Sequence, residues 1–433
     1  MNYNIFEKKN VITFVDQYEK VMIDIKKDYF DGLLRIKEPE KINWPDDFIN
    51  SIKNPINSKP LHEIASGAKK IVVIISDATR GVPTNLVFPF VVEELGKAGI
   101  GLNQISVVVA LGVHRKATAD EMRNMIGEKY IDKIDIFNHN PYDREYLVNL
   151  GETKYGTPVE INKLVFNADF RIAIGKVEPH EFAGFSGGRK TILPGISSET
   201  SIKINHRPEM LMKSESRPGR LYDNVIHLDM LEAAKLLKID FNINFVLDSE
   251  GNTIGLFSGD IFDAHQEAVR FLKSFCEVKI KKNPDIIITT PGYPLNIDFY
   301  QSIKPLIALE PVCTKDTVII LYSSCPEGLN SPDMLWPFQN STNIKEVIDK
   351  LKRNYKIQMD HALLLTKIIN KGIHLIVYAP NVDSELLKMM YLEPTSGLQH
   401  GLNEAYKKIN KKDASVLIYP QAQRTLPIFD KRL

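Results

Sequence analysis

The chain reads as an α/β protein of two domains, each a largely parallel sheet flanked by helices. Three observations predict this. Short apolar, β-branched runs alternate with helical stretches, as buried parallel strands with crossover helices do. Length and composition agree, since 433 residues suggest two or three domains and a 43% hydrophobic share suffices for full-sized cores. A charged stretch closed by proline, Lys279-Ile-Lys-Lys-Asn-Pro284, then interrupts the pattern before it restarts.

The candidate strands of the first domain are residues 71–75, 105–110, 134–137 and 170–174. Between them, Thr118-Ala-Asp-Glu121 has the spacing of a capping box that opens a helix. Alternating residues over 241–257 flank Ser249-Glu-Gly-Asn252 and read as a hairpin. Beyond the junction come candidate strands at 285–290, 317–323 and 374–378. Domains of 1–278 and 279–433 follow, with a last strand, 414–419, that fits either.

The 55 basic and 54 acidic side chains nearly cancel, so no long-range attraction for nucleic acid is expected. Met1 to Lys20 lacks an apolar core behind a basic end, and no apolar run approaches the ~18 residues of a membrane span. Cys276, Cys313 and Cys325 are few, widely spaced and odd in number, which fits a reducing, cytoplasmic compartment and argues against a cysteine-only metal site.

In open parallel sheets, chemistry gathers beyond the carboxyl ends of the strands. Three runs end in polar groups there: Ser76-Asp-Ala-Thr-Arg80, Leu111-Gly-Val-His114 and Gly175-Lys-Val-Glu-Pro-His180. Singly, each is ordinary: Asp77 suits a cap, Arg80 a surface ion pair, and His114 or His180 a satisfied loop position. Their shared place after strands makes them candidates.

The strongest local signal is Glu181-Phe-Ala-Gly-Phe-Ser-Gly-Gly-Arg-Lys190. Gly187 and Gly188 would let a ligand approach the backbone, and Arg189-Lys190 supply positive charge, so the segment suits a phosphate. The spacing of a P-loop fails, however, because no glycine directly precedes Lys190. Lys190 beside an arginine also suits covalent attachment of a carbonyl-type or thioacyl group. His206, in Ile204-Asn-His-Arg-Pro208, has no HxxxH or CxxC companion, so a metal there needs donors from a cofactor.

Five motifs in one order resemble the nickel-dependent lactate racemase family. They are SDATR at 76–80, ALGVHR at 110–115, KVEPHEFAGFSGGRKTILPG at 176–195, NH at 205–206 and YQSIK at 300–304, and the similarity runs from about Lys69 to about Lys304. The resemblance implies a nickel-pincer nucleotide, a pyridinium mononucleotide with two sulfur-bearing arms, joined to Lys190 and ligated through nickel by His206. It implies His114 and His180 as the paired acid/base residues, and Asp77, Arg80, Gly187 and Gly188 as lining the cofactor. Arg80, Gln301 and Lys304 would hold a small 2-hydroxy acid in a cleft between the domains.

Removing the C2 hydrogen as hydride while a histidine takes the hydroxyl proton would give a 2-keto acid and avoid a dianionic carbanion. One base per face then follows. Other enzymes would have to build the cofactor, and oligomeric state is not readable. The family's late tryptophan is missing, since only Trp44 and Trp336 are present. Gln358-Met-Asp-His361 stands where it is expected, His361 being read as solvent-facing, so the substrate's tail is open. The competing readings are an epimerase of polyol acids and a non-catalytic nucleotide- or anion-binding protein.

Overall fold

The computed structural model describes residues 4–8, 11–15, 18–26, 29–409, 411 and 413–429. The chain forms two compact units. A central unit comprises Glu38–His206 and Arg220–Phe275, and a terminal unit comprises Met1–Lys37, Arg207–Gly219 and Cys276–Leu433.

The central unit is built on a six-stranded sheet. Its strands in spatial order are Thr253–Gly259, Phe241–Leu247, Phe170–Lys176, Ile71–Ser76, Ile105–Ala110 and Asp135–Asn138. Every pairing is parallel except that of Thr253–Gly259, which returns antiparallel as the second arm of the expected hairpin. The β-branched content of these runs suits strands covered on both faces, and the first five residues of Ile71–Ser76 are all buried.

On one face, Ile71, Val73, Val107, Ile172, Phe241 and Ile243 pack with Phe48, Phe88 and Val91 in a continuous apolar core. Thr118 and Glu121 form the expected capping box: Thr118 N donates to Glu121 Oε2 at 2.8 Å, and Glu121 N to Thr118 Oγ1 at 3.2 Å.

The chain runs outward from Ile71–Ser76 through two strands on one side, then returns to add Phe170–Lys176 on the other. Strand order therefore reverses between Ile71–Ser76 and Phe170–Lys176. In open parallel sheets the loops leaving two such strands diverge, which makes their carboxyl ends the expected place for a ligand.

The terminal unit repeats the scheme with Glu393–Pro394, His374–Tyr378, Val318–Tyr322, Ile286–Thr289, Val416–Ile418 and Phe30–Leu33, all parallel. The last expected strand thus belongs to this sheet, next to Ile286–Thr289. Residues 1–37 belong to this unit as well, unlike the continuous 1–278 domain read from the sequence. Phe30–Leu33 pairs with Val416–Ile418, and Ile12, Phe14 and Ile23 enter the core formed by Ile288, Ile320 and Ile418. Among the described residues no helix is long and apolar enough to cross a membrane.

Three buried histidines make the central unit sensitive to acid. Burial pushes His139 down to about 4 and His265 to about 3, and lowers His227 further still. The unfolded chain therefore binds protons that the fold refuses. Stability should hold above about pH 6.5 and fall below it, by up to ~1.4 kcal/mol per pH unit for each histidine. Urea unfolding at pH 7.5, 6.5 and 5.5 checks this; equal midpoints at all three would contradict it.

Candidate active site

The residues singled out after strands meet at the carboxyl edge of the central sheet. Asp77 follows Ile71–Ser76 and caps the single 3-10 turn Ala78–Arg80, accepting from Thr79 N at 2.8 Å and from the Thr79 hydroxyl. Its other oxygen lies 3.1 Å from His114 Nδ1 and 3.6 Å from Arg80 Nε. Burial opposes charge on Asp77, but the hydrogen bond from His114 and the Arg80 guanidinium outweigh it and hold the carboxyl well below the usual range.

Arg80 Nη2 approaches His114 Nε2 at 3.3 Å. A guanidinium only donates, so Nε2 accepts and the ring proton sits on Nδ1, directed at Asp77.

The second histidine is bracketed in the same way. His180 sits in a short hairpin in which Pro179–His180 pairs with Gly184–Phe185. Its Nε2 lies 2.9 Å from Lys190 Nζ, and its Nδ1 lies 3.3 Å from Glu181 Oε2 and 3.4 Å from Ala183 N. The Ala183 amide donates to Nδ1 while the Glu181 carboxylate can only accept there, so the two compete for this nitrogen and the ring proton is not assigned by these contacts. Each histidine thus has a carboxylate behind Nδ1 and a cation in front of Nε2. Glu181 was not among the residues expected from sequence, although its place beside His180 was a visible signal.

Phe182 joins the rest. Its ring makes edge contacts with His180 at 4.7 Å and His206 at 4.9 Å, and Lys190 Nζ lies 5.5 Å from its centroid. His206 ends the helix Glu199–Asn205 and donates from Nδ1 to Ile202 O at 3.0 Å. Burial, reinforced by the nearby Lys190 charge, pushes its imidazole down to about 3. It is therefore neutral, with the Nε2 lone pair available, the form that ligates a metal.

His114 is tied to this group through the backbone: Gly112 N donates to Gly195 O at 2.9 Å, and Gly195 N donates to Lys190 O at 3.1 Å. Among the described residues no group of three His, Cys, Asp or Glu side chains could hold a metal, so a metal at His206 requires a cofactor's donors.

The glycines have a different purpose from the one their sequence suggests. A Cβ on Gly187 would come within 2.7 Å of Val177 and 2.9 Å of Lys176 O, and one on Gly188 within 2.9 Å of the His265 ring. Gly188 N already donates to Asn244 Oδ1 at 3.2 Å. Protein packs against both positions, whose φ are 75° and 51°, and that packing already accounts for glycine here without a bound phosphate.

Arg189 is not offered to a ligand either. It is 1% exposed and donates to the carbonyls of Ala183 at 2.8 Å, Phe185 at 2.7 Å and Gly187 at 3.2 Å. Burial without a carboxylate partner pushes its guanidinium down to about 9. The anion-binding reading loses its main support.

Gln301 and Lys304 form a separate group in the terminal unit. Asp298 caps their helical run by accepting from Gln301 N at 2.7 Å, and both side chains are half-buried. His361, expected to face solvent, is only 3% exposed and stacks on Tyr300. A cavity of about 420 Å³ lies elsewhere, beside Asp169, Phe170 and Asp240 at the amino ends of the central strands, and none of the expected site residues lines it.

An α/β enzyme of the isomerase class is what this fold and its relatives define. The lactate racemase N-terminal domain model matches residues 17–219 and the lactate racemase C-terminal domain model matches residues 279–424. A lactate racemase of Thermoanaerobacterium thermosaccharolyticum is 32% identical over 93% of this chain and 95% of its own. One from Lactiplantibacillus plantarum is 33% identical over 86% and 88%. The structure of the Thermoanaerobacterium lactate racemase apoprotein superposes with a TM-score of 0.88 at 32% identity, covering 96% of this chain and all of that one. A Thermotoga maritima protein of 19% identity, with a TM-score of 0.66 over 86% of this chain and 96% of its own, shares the fold. The chain belongs to the lactate racemase family.

One buried carboxylate supports the His206 helix. Asp229 is fully buried and accepts from Thr153 Oγ1 at 2.5 Å, Thr157 Oγ1 at 2.6 Å and Asn205 Nδ2 at 2.7 Å. Asp229→Ala strands three buried donors, so it should cost roughly 3–5 kcal/mol. Chemical denaturation reads this directly; a loss under about 1 kcal/mol would show the network to be dispensable.

Proposed function

We propose that the protein racemises or epimerises a small 2-hydroxy acid at C2, with a nickel-pincer nucleotide attached to Lys190 and its nickel ligated by His206. The observation that carries this is the convergence of Lys190, His180 and His206 on Phe182, together with the contact between His114 and Arg80 from the loops after two neighbouring strands. The residues fit the group: His206 offers a neutral nitrogen held in orientation by Ile202 O, and Lys190 places an amine beside it. When bound, the cofactor would supply a reversible acceptor for the C2 hydrogen as hydride, a step beyond any side chain here.

The chain's own residues do the rest. Arg80, 43% exposed at its side chain, can bind a substrate carboxylate by two parallel hydrogen bonds. His114 Nε2 would take the hydroxyl proton of one enantiomer, and His180 Nε2 that of the other. The Asp77 carboxylate would stabilise the imidazolium formed at His114, and Glu181 the one formed at His180. His180 must give up its contact with the Lys190 ammonium to act, and acylation of that amine removes the competing charge. Gln301 and Lys304 are proposed to orient polar substrate atoms and neutralise carboxylate charge. Gly187 and Gly188 would act on the cofactor indirectly, by letting the loop fold beneath Lys190. Partner enzymes that build the cofactor are required, and the three buried free cysteines support a reducing, cytoplasmic setting.

Intact-mass spectrometry after co-expression with cofactor-building enzymes tests the attachment. The native chain should carry an adduct and Lys190→Ala none, whereas His206→Ala should lose nickel but keep much of the organic mass. An unmodified native chain under loading conditions would end the proposal. For the bases, His114→Ala and His180→Ala should each lower racemisation by about 10²–10⁴-fold. Asp77→Asn and Glu181→Gln should reduce kcat about tenfold or more with smaller changes in KM. Polarimetry on loaded protein measures both sets.

A further inference from the structure

In the terminal unit, the His361 ring lies 4.0 Å from that of Tyr300 at an interplanar angle of 27°, and Nδ1 is 2.8 Å from Tyr300 O. A carbonyl only accepts, so Nδ1 carries the proton. Tyr300 is fixed in turn, since its hydroxyl donates to Asp360 Oδ1 at 3.1 Å, and His361 N reaches the same oxygen at 2.8 Å. Although the residue is 3% exposed, Nε2 has no hydrogen-bond partner among the described residues and is not sealed away from solvent. It is a held, vacant acceptor. Gln301 follows Tyr300 in the chain, and Lys304 lies four positions beyond Tyr300 on the same helical run.

We infer that His361 is a specificity-determining residue whose Nε2 accepts a hydrogen bond from a hydroxyl group on the tail of the substrate. The inference rests on the proposed role of Gln301 and Lys304 and names the substrate class: 2-hydroxy acids with a further hydroxyl, as in sugar acids. A methyl tail gives Nε2 nothing to accept and covers a polar atom. A carboxylate tail brings only acceptors and repels the nitrogen's lone pair. The stack on Tyr300 and the bond to its carbonyl keep the imidazole from turning its N–H outward. A site whose polar atom goes unpaired with the wrong ligand discriminates more sharply than an apolar pocket does.

Calorimetric dissociation constants for full-length protein, purified after co-expression with the cofactor-building enzymes, test this. The probes are glycerate against lactate, 2,4-dihydroxybutyrate against 2-hydroxybutyrate, and malate. At least one hydroxylated acid should bind about tenfold or more tightly than its deoxy partner. His361→Phe, which keeps a ring against Tyr300, should bring that ratio to about one, and His361→Gln, which restores an acceptor, should recover part of it.

In ¹⁵N-labelled native protein the hydroxylated acid should also shift the His361 Nε2 resonance, a readout independent of how the variants fold. Ratios near one in the native protein, ratios unchanged in His361→Phe, or malate binding tightest would each overturn the inference. Discrimination through His361 without racemisation or a Lys190 adduct would instead leave it standing and sink the proposed reaction.

Discussion

The site depends on one buried cation. Arg189 has no carboxylate partner among the described residues, and the energy that keeps its guanidinium in the interior comes from the carbonyls of Ala183, Phe185 and Gly187 turning inward to meet it. A loop wrapped around a charge in this way has little freedom, because releasing any carbonyl leaves a buried ionic donor unsatisfied. The glycines then become necessary, since the backbone must pass within contact of Val177 and the His265 ring to close the wrap. Phe182 and Lys190, at the two ends of this loop, are aimed as a consequence.

Around that loop the electrostatics fall into two matched arrangements and one exception. His114 and His180 each have a carboxylate beside Nδ1 and a cation beside Nε2, and at His114 these contacts fix the tautomer and leave Nε2 as the acceptor. In the proposed reaction, removing the cation from Nε2, by substrate engaging Arg80 or by acylation of Lys190, would turn each into a base. His206 is the exception. It has a backbone carbonyl in place of the carboxylate, and burial suppresses its charge, which suits a ligand that must stay neutral and must not exchange protons.

Much of this was legible beforehand. Most strands of both sheets, the Thr118 capping box and the 241–257 hairpin follow from patterns spanning a few residues, and each is set by local geometry and burial. Phe30–Leu33 and Glu393–Pro394 were not among the expected strands. The placement of Asp77, Arg80, His114 and His180 after strands was readable because parallel sheets put strand ends on one edge. Residues 1–37 were missed as part of the terminal unit because Phe30–Leu33 finds its partner at Val416–Ile418, nearly the whole chain away. Gly187, Gly188 and Arg189 were read as ligand-facing because a glycine admits a ligand and a packed side chain equally well. His361 was read as solvent-facing, but its ring stacks on Tyr300, 61 positions earlier in the chain, a contact that no local pattern shows.

Sequence by itself determined the inventory: which residues could donate, accept, ligate or attack, and which short segments would become strands or helices. The tertiary structure decided who faces whom. It turned Arg189 inward and His361 away from solvent, set Glu181 behind His180, and made Phe182 the common neighbour of Lys190 and two histidines. The physical reason is range, since local dihedral and burial preferences act over a few residues. A hydrogen bond or ring contact within 5 Å can join residues dozens of positions apart, and only the packed core specifies which of them meet.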